Sequence, residues 1–103
     1  MQIIHKCSGS TCIISLCGEL DDCSAVPARE QLDKIFSSLS PFTQVVLDFQ
    51  NVSFMDSTGI GVLIGRYKKF EPALINFSIR NPNKTVDRIL KMTGIYNIIP
   101  KVV

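Results

Sequence analysis

The pattern of apolar and polar residues changes period along the chain, and each period predicts one type of secondary structure. Segments 2–7 and 11–17 lie on either side of Ser8-Gly9-Ser10, a turn composition, and predict two strands of a hairpin. Segment 45–49 is apolar on both faces over most of its length, which is typical of a central or parallel strand. Segment 74–79 alternates and predicts another strand, and segment 97–99 predicts a short last one.

Three further segments repeat their apolar residues at spacings of three and four, which predicts amphipathic helices. They cover about 24–38, about 57–70, and a stretch that opens with Asn81-Pro82 as N-cap and first helical residue and stops at Gly94. The first helix is bounded by an N-cap, a proline in its first turn and a proline beyond its end: Ser24, Pro27 and Pro41.

This order of elements predicts an α/β fold. A hairpin followed by strands that alternate with helices gives a mixed sheet of about five strands, packed by about three helices. The ends of the second and third strands then lie at one edge of the sheet. That edge carries the predicted loops 18–22 and 50–57, and function collects at such an edge in open α/β sheets.

Composition narrows the classes of function. The chain has 103 residues, which suits one domain, and a formal net charge of +2 with scattered basic residues. We therefore expect no nucleic-acid partner. No signal peptide precedes the domain and no apolar run approaches the ~20 residues of a membrane helix, so we expect a soluble cytoplasmic protein without a membrane partner.

The four cysteines and the single histidine do not predict a metal site. No two cysteines form a C-x-x-C pair, and His5 is expected to face solvent on an edge strand. In the predicted hairpin Cys7 faces Cys12, where side chains lie closest. Two interpretations stay open: a disulfide, or two small half-buried thiols that remain reduced in the cytosol.

The chemically informative segment is 54–61, Phe-Met-Asp-Ser-Thr-Gly-Ile-Gly, where a strand gives way to a helix. Asp56, Ser57 and Thr58 would meet the first turn, whose free N–H groups and partial positive charge favour anions. A phosphate on Ser57 would fit there, but the same residues also suit an ordinary helix cap. Several glycines in this helix indicate a close approach to its backbone, either by the sheet or by a partner.

Motifs for enzyme chemistry are absent from the sequence. Gly65 comes one residue too late for a dinucleotide-binding G-x-G-x-x-G, and Arg66 replaces the Walker A lysine. One histidine near the N-terminus does not complete a Ser-His-Asp set. Asp21-Asp22 resembles part of a magnesium pocket, but Asp48 is followed by another strand residue, which disfavours that interpretation. We therefore expect neither catalysis nor a cofactor.

Segment 53–63, SFMDSTGIGVL, resembles the signature of the STAS domain (sulfate transporter and anti-sigma factor antagonist). Segment 18–21, GELD, resembles the loop after the second strand of that family, and segments 91–95 and 98–99 resemble its third helix and last strand. The resemblance spans nearly the whole chain in the right order. Segment 65–68, GRYK, is similar to the sporulation-type antagonist rather than the general-stress type.

The resemblance implies one STAS domain over 1–103 that acts by partner switching. Such a protein, when unphosphorylated, binds an anti-sigma factor that is also a serine kinase, and this frees a sigma factor. Phosphorylation of the serine after the aspartate, here Ser57, ends the binding, and a serine phosphatase resets it. The partner-binding residues implied lie on one edge: Glu19, Asp21, Asp22, Asp56, Ser57, Thr58, Gly59 and Gly61.

Two other functions and one departure from the family accompany this prediction. The chain could be a regulatory STAS module of an anion transporter or stress complex, or a nucleotide-binding or nucleotide-hydrolysing protein that uses the glycine-rich helix. Family members usually continue past the last strand into a further helix, whereas this sequence stops at Val103. We therefore expect the C-terminal helix of the family to be missing here.

Overall fold

The computed structural model describes residues 1–39, 43–73 and 75–102. Within them, four strands and three α-helices follow one another: β1 (Gln2–Ser8), β2 (Thr11–Leu20), α1 (Ala25–Ser37), β3 (Gln44–Met55), α2 (Ser57–Phe70), β4 (Asn76–Arg80) and α3 (Lys84–Thr93). Three residues used in the predictions lie outside this part of the chain: Pro41, Leu74 and Val103.

The sheet is mixed, as predicted, with the strand order β1-β2-β3-β4. β1 and β2 are antiparallel, whereas β2–β3 and β3–β4 are parallel pairs whose crossovers contain α1 and α2. Beyond β4, Lys101 forms a single parallel bridge with Ile79. The backbone N–H of Ile79 donates to the Pro100 carbonyl at 2.9 Å, so the C-terminal segment occupies the position of a fifth strand without forming a regular one.

The opening hairpin has the predicted register. Gly9 turns the chain with a φ of 61°, a left-handed conformation that glycine adopts at low cost. Cys7 lies opposite Cys12, and their sulfurs form a disulfide. Of the two interpretations left open by the sequence, a disulfide or two reduced thiols, the structure therefore contains the disulfide. His5 is exposed on the edge strand β1, as expected.

β2 and β3 are both longer than predicted. β2 extends to Leu20 and β3 to Met55, and these two residues pair with each other where the sequence indicated loops. Two register shifts, between Ser15 and Cys17 and between Gly18 and Glu19, keep the strands paired through this region. At such bulges the alternation of apolar and polar residues is interrupted while the strands stay paired. The periodicity of the sequence therefore predicted strand ends that are too early.

The third helix begins later than predicted. Its N-cap is Asn83, whose side-chain oxygen accepts the N–H of Val86 at 2.8 Å. The predicted cap, Asn81, instead adopts a left-handed φ of 59° in the turn after β4. Asparagine tolerates that conformation well, so both asparagines fit their positions, and only the local structure distinguishes them. Gly94 ends the helix as predicted, with a φ of 75°.

The predicted last strand over 97–99 is wrong. Residues Ile95–Asn97 form a 3₁₀ helix, closed by the Asn97 N–H donating to the Gly94 carbonyl at 3.0 Å. The N–H of Ile98 likewise bonds back to Ile95 at 2.9 Å. The chain is therefore helical where a strand was predicted. Pairing with β4 begins only at Lys101, two residues after the predicted strand.

The core is continuous and joins the helices to the sheet. Phe36 on α1 packs edge-on against Phe70 on α2 and Phe77 on β4, with ring centroids 5.1 and 5.4 Å apart. Asp48, buried on β3, is paired with Arg80 of β4 at 3.1 Å and accepts the N–H of Gln50 at 3.0 Å. None of the described helices has the length and apolar character needed to cross a bilayer.

Candidate functional site

Ser57 stands at the first position of α2, directly after the helix cap. The cap is Asp56, whose extended backbone places its Oδ1 to accept the N–H of Gly59 at 3.0 Å. Ser57 and Thr58 are both exposed, and within the described residues neither hydroxyl takes part in a hydrogen bond. From the sequence, Ser57 could serve either as part of a helix cap or as a phosphorylation site. In the structure Asp56 caps the helix, and the Ser57 hydroxyl remains accessible.

The segment between β2 and α1 is a compact turn built on Asp21. The Oδ1 atom of Asp21 accepts the N–H groups of Cys23 and Ser24 at 3.0 and 3.1 Å. Ser24 is at the predicted N-cap position of α1, but its hydroxyl donates to the Glu19 carbonyl at 2.7 Å instead of capping the helix. These bonds fix the loop backbone and leave the side chains of Glu19 and Asp22 exposed.

The β2–α1 turn and the start of α2 touch each other. The Asp56 N–H donates to the Leu20 carbonyl at 3.4 Å, next to the last pair of the β2–β3 ladder. Gly59 lies so close to the same carbonyl that a Cβ atom on Gly59 would overlap it. The predicted edge therefore exists, and all eight predicted partner-binding residues belong to its two segments, with Gly61 one turn into α2.

The glycines of α2 differ in what surrounds them. Gly59 is buried against the end of β2, so at this position the sheet is what approaches the helix. A Cβ atom added to Gly61 or Gly65 would have no neighbour within 4 Å. Packing within the described chain therefore does not require glycine at these two positions.

The loop side of the site has a negative potential. The pKa of the Cys23 thiol is raised, first by the charge of Asp22 and then by that of Asp21. Sequence reasoning did not assign Cys23 to the site, although its place beside the two aspartates was visible. Ligand atoms of Asp21, Asp22 and Cys23 lie within 4.8 Å of one another, but the Oδ1 atom of Asp21 is already used by the turn.

The magnesium-pocket interpretation is further weakened by Asp48. Its two carboxylate oxygens are taken by Arg80 and by the Gln50 N–H, within the sheet. Asp48 therefore stabilises the β3–β4 pair, and is not available to join the aspartates of the loop.

An open cleft of about 340 Å³ lies between α1 and α2, beside the exposed hydroxyls. We call it the α1–α2 cleft; it is lined by Arg29, Thr58, Gly61, Val62, Gly65 and Arg66. Arg29 was not predicted from the sequence as a site residue, because it belongs to another helix and carries no motif. Only the packing of α1 against α2 brings it next to the start of α2.

Comparison with known families identifies the fold. Residues 2–103 match the model of the STAS domain. The chain belongs to the STAS domain family. The eleven-residue segment that suggested this family therefore marks the junction of β3 and α2, the place where the exposed serine lies.

Individual relatives agree with this assignment. The chain is 35% identical over 100 residues to the anti-sigma F factor antagonist of Paenibacillus polymyxa. The aligned region covers 97% of this STAS chain and 85% of the relative. It is 30% identical over 86 residues to the anti-sigma-B factor antagonist of Bacillus subtilis, with 84% of this chain and 76% of the relative covered.

A solved structure supports the fold. The structure of the anti-sigma factor antagonist SpoIIAA in its unphosphorylated form superimposes with a TM-score of 0.78 at 23% identity. The superposition covers 99% of this chain and 89% of that one.

Proposed function

We propose that this STAS chain is an anti-sigma factor antagonist of the sporulation type that works in the cytoplasm as a binding module. Its unphosphorylated form binds an anti-sigma factor with serine kinase activity, and a sigma factor is released. Phosphorylation of Ser57 by that kinase ends the binding, and a serine phosphatase restores the active form. The names of its relatives support the antagonist role. The exposure of Ser57 is the observation that supports control by phosphorylation.

The position of Ser57 suits a switch that changes the surface and leaves the fold intact. Its side chain is exposed, and the neighbouring Asp56 already caps the helix, so α2 does not depend on the Ser57 hydroxyl. A phosphate there would lie at the positive end of α2, which tolerates anions. It would add about 1.5–2 negative charges to the surface that the partner covers.

The loop between β2 and α1 supports a two-segment docking surface. Glu19 and Asp22 are exposed next to the start of α2, and the bonds made by Asp21 hold the loop in one conformation. A partner that contacts both segments would be sensitive to a charge added at either one. This geometry favours a binding switch over a nucleotide-binding function.

The decisive experiment is phosphorylation of the purified chain by the anti-sigma factor kinase of the same organism with ATP. Intact-mass analysis should show one phosphate, and peptide mapping should locate it on Ser57. Ser57→Ala should abolish labelling and still bind the kinase, whereas Thr85→Ala, which removes an exposed hydroxyl from the first turn of α3 outside the site, should be labelled normally. Labelling that persists in the Ser57→Ala variant would refute the site.

A binding assay tests the second half of the proposal. Ser57→Asp should weaken binding to the anti-sigma factor, because it introduces a negative charge at the first position of α2. Co-purification of the chain with a membrane transporter, and not with a small ATP-dependent kinase, would instead favour the role of a transporter module.

A further inference from the structure

The α1–α2 cleft is a positively charged groove next to the proposed switch. Two of its lining residues are cations, Arg29 from α1 and Arg66 from α2, and no lining residue is acidic. Thr58 lines the same cleft one position after Ser57. A partner that covers Ser57 would therefore reach the mouth of this groove.

The positive charge of the cleft is only partly cancelled by its surroundings. Among the described residues, the carboxylate that pairs with a lining residue is that of Asp33, which is 2.8 Å from Arg66 and 3.2 Å from Lys69. Asp33 is thus shared by two cations. Arg29 is exposed and has no ion-pair partner among the described residues, so its guanidinium is available for an external anion.

The floor of the cleft leaves room for a chain segment. Gly61 and Gly65 are one helical turn apart, and a Cβ atom on either would meet nothing within 4 Å. Glycine in a helix interior destabilises the helix relative to alanine. Within the part of the chain that the structure describes, no packing contact requires glycine at these two positions, in contrast to Gly59, which lies against the end of β2.

We propose that the α1–α2 cleft receives an acidic helix or loop of the anti-sigma factor, with Arg29 as the residue that pairs with its carboxylate. The choice of an acidic segment follows from charge complementarity with Arg29 and with the net positive charge that Asp33 leaves on Arg66 and Lys69. This inference rests on the proposed function and adds the chemistry of the partner. It also gives the switch a physical basis, because a phosphate on Ser57 would reduce the positive potential at the cleft mouth.

The test is isothermal titration calorimetry of the full chain with the purified anti-sigma factor kinase, without ATP so that Ser57 stays unphosphorylated. Arg29→Glu should weaken binding about tenfold or more, and Arg29→Lys should retain most of it. Lys34→Glu is the matched control, an equal charge reversal at an exposed position of α1 outside the cleft, and should bind within about twofold of the unaltered chain.

The glycine variants test the floor of the cleft separately from folding. Gly61→Ala and Gly65→Ala should unfold at the same or a higher temperature than the unaltered chain, since they improve helix propensity. They should nevertheless weaken binding about fivefold, because the added methyl group occupies space that the partner fills. Weaker binding at unchanged stability would show that Gly61 and Gly65 contact the partner and are not needed for folding.

The outcomes separate the inference from the function on which it rests. If the unaltered chain binds and is labelled on Ser57, but Arg29→Glu and Gly65→Ala bind as it does, the cleft inference is overturned and the function stands. If the unaltered chain neither binds nor is labelled, both are overturned. If sedimentation shows a dimer of the chain alone that Gly65→Ala dissociates, the occupant is a second copy and the inference is wrong.

Discussion

At the scale of single residues, neighbouring glycines of α2 have opposite structural roles. Gly59 faces the Leu20 carbonyl with no space for a side chain, whereas Gly61 faces open space. The two residues are two positions apart in the same helix and have the same intrinsic cost there. Their surroundings alone decide what a substitution does.

Gly59→Ala should lower the free energy of unfolding by about 1–3 kcal/mol, because the new methyl group forces α2 away from the end of β2. Gly61→Ala is the matched control and should raise it by up to about 1 kcal/mol. Urea unfolding of the two variants measures the difference. Equal effects of the two substitutions would contradict the close approach at Gly59.

A second residue-scale feature is the carboxylate of Asp87 on α3. The Tyr96 hydroxyl donates to it at 2.7 Å, and Lys101 and Lys91 lie 3.1 and 3.2 Å from it. The bond from Tyr96, followed by those from the two lysines, lowers the pKa of Asp87 to about 2. Asp87 thus ties α3 to the residues that follow it.

Because the pKa of Asp87 is lower in the folded state, its contribution to stability is complete above about pH 4, the ordinary range of an aspartate. The contribution should be lost as the pH falls from about 4 to about 2. Asp87→Asn should therefore be less stable than the unaltered chain at pH 6, with a gap in urea midpoint that closes towards pH 2. A gap that stays constant with pH would contradict this.

At the scale of elements, the hairpin β1–β2 is held by a disulfide close to its turn. Cys7 and Cys12 are opposite each other, with Cα atoms 4.0 Å apart, and Cys7 is exposed while Cys12 is buried. β1 is otherwise an edge strand whose residues are nearly all exposed. The crosslink therefore acts at the turn end of a strand that is paired on one side only.

Reduction of this disulfide should destabilise the chain by about 2 kcal/mol, a modest value because the closed loop is short. Thiol titration of the unfolded, unreduced protein should find two free thiols, Cys17 and Cys23, and four after reduction. Cys7→Ala should be insensitive to reductant and so serves as the control. Four free thiols before reduction would contradict the pairing.

The loops at the edge that carries Ser57 are the other feature at the element scale. Periodicity predicted that the second and third strands would stop before segments 18–22 and 50–57, but pairing continues to Leu20 and Met55. The extended ladder shortens both loops and brings the Asp21 turn against the start of α2. The site is therefore carried by the ends of paired strands, and its two halves are held in a fixed relation.

At the scale of the whole molecule, the proposed switch is separated from the core. The aromatic cluster around Phe36 joins α1, α2 and β4, while Ser57 lies on the surface at the start of α2. A change of charge at Ser57 removes no core contact. The chain should hence keep its fold in both states of the switch.

Ser57→Asp should accordingly unfold within about 3 °C of the unaltered chain, as exposed substitutions do in a domain of this size. Phe36→Ala, which removes the centre of the cluster, should lower the free energy of unfolding by about 3–5 kcal/mol. Thermal unfolding followed by circular dichroism compares them. A large loss of stability in Ser57→Asp would mean that the serine supports the fold.

The sequence by itself determined the features that depend on local chemistry. The periods of apolar residues located three helices and four strands, the hairpin turn fixed the Cys7–Cys12 register, and the 53–63 segment indicated the family. Turn preference, capping and amphipathicity act over a few residues, so they can be read from one chain. The N-cap of α3 was misplaced because Asn81 and Asn83 suit the turn and the cap equally well by composition.

Tertiary structure decided what depends on residues that are distant in sequence. Whether Gly59 meets the sheet, how far β2 and β3 stay paired, and whether Arg29 lies beside Thr58 follow from the packing of elements against one another. No local pattern encodes these distances, because they are set by the volumes of core side chains across the whole domain. The proposed phosphosite, Ser57, could be located in the sequence, and the charged groove beside it appeared only with the fold.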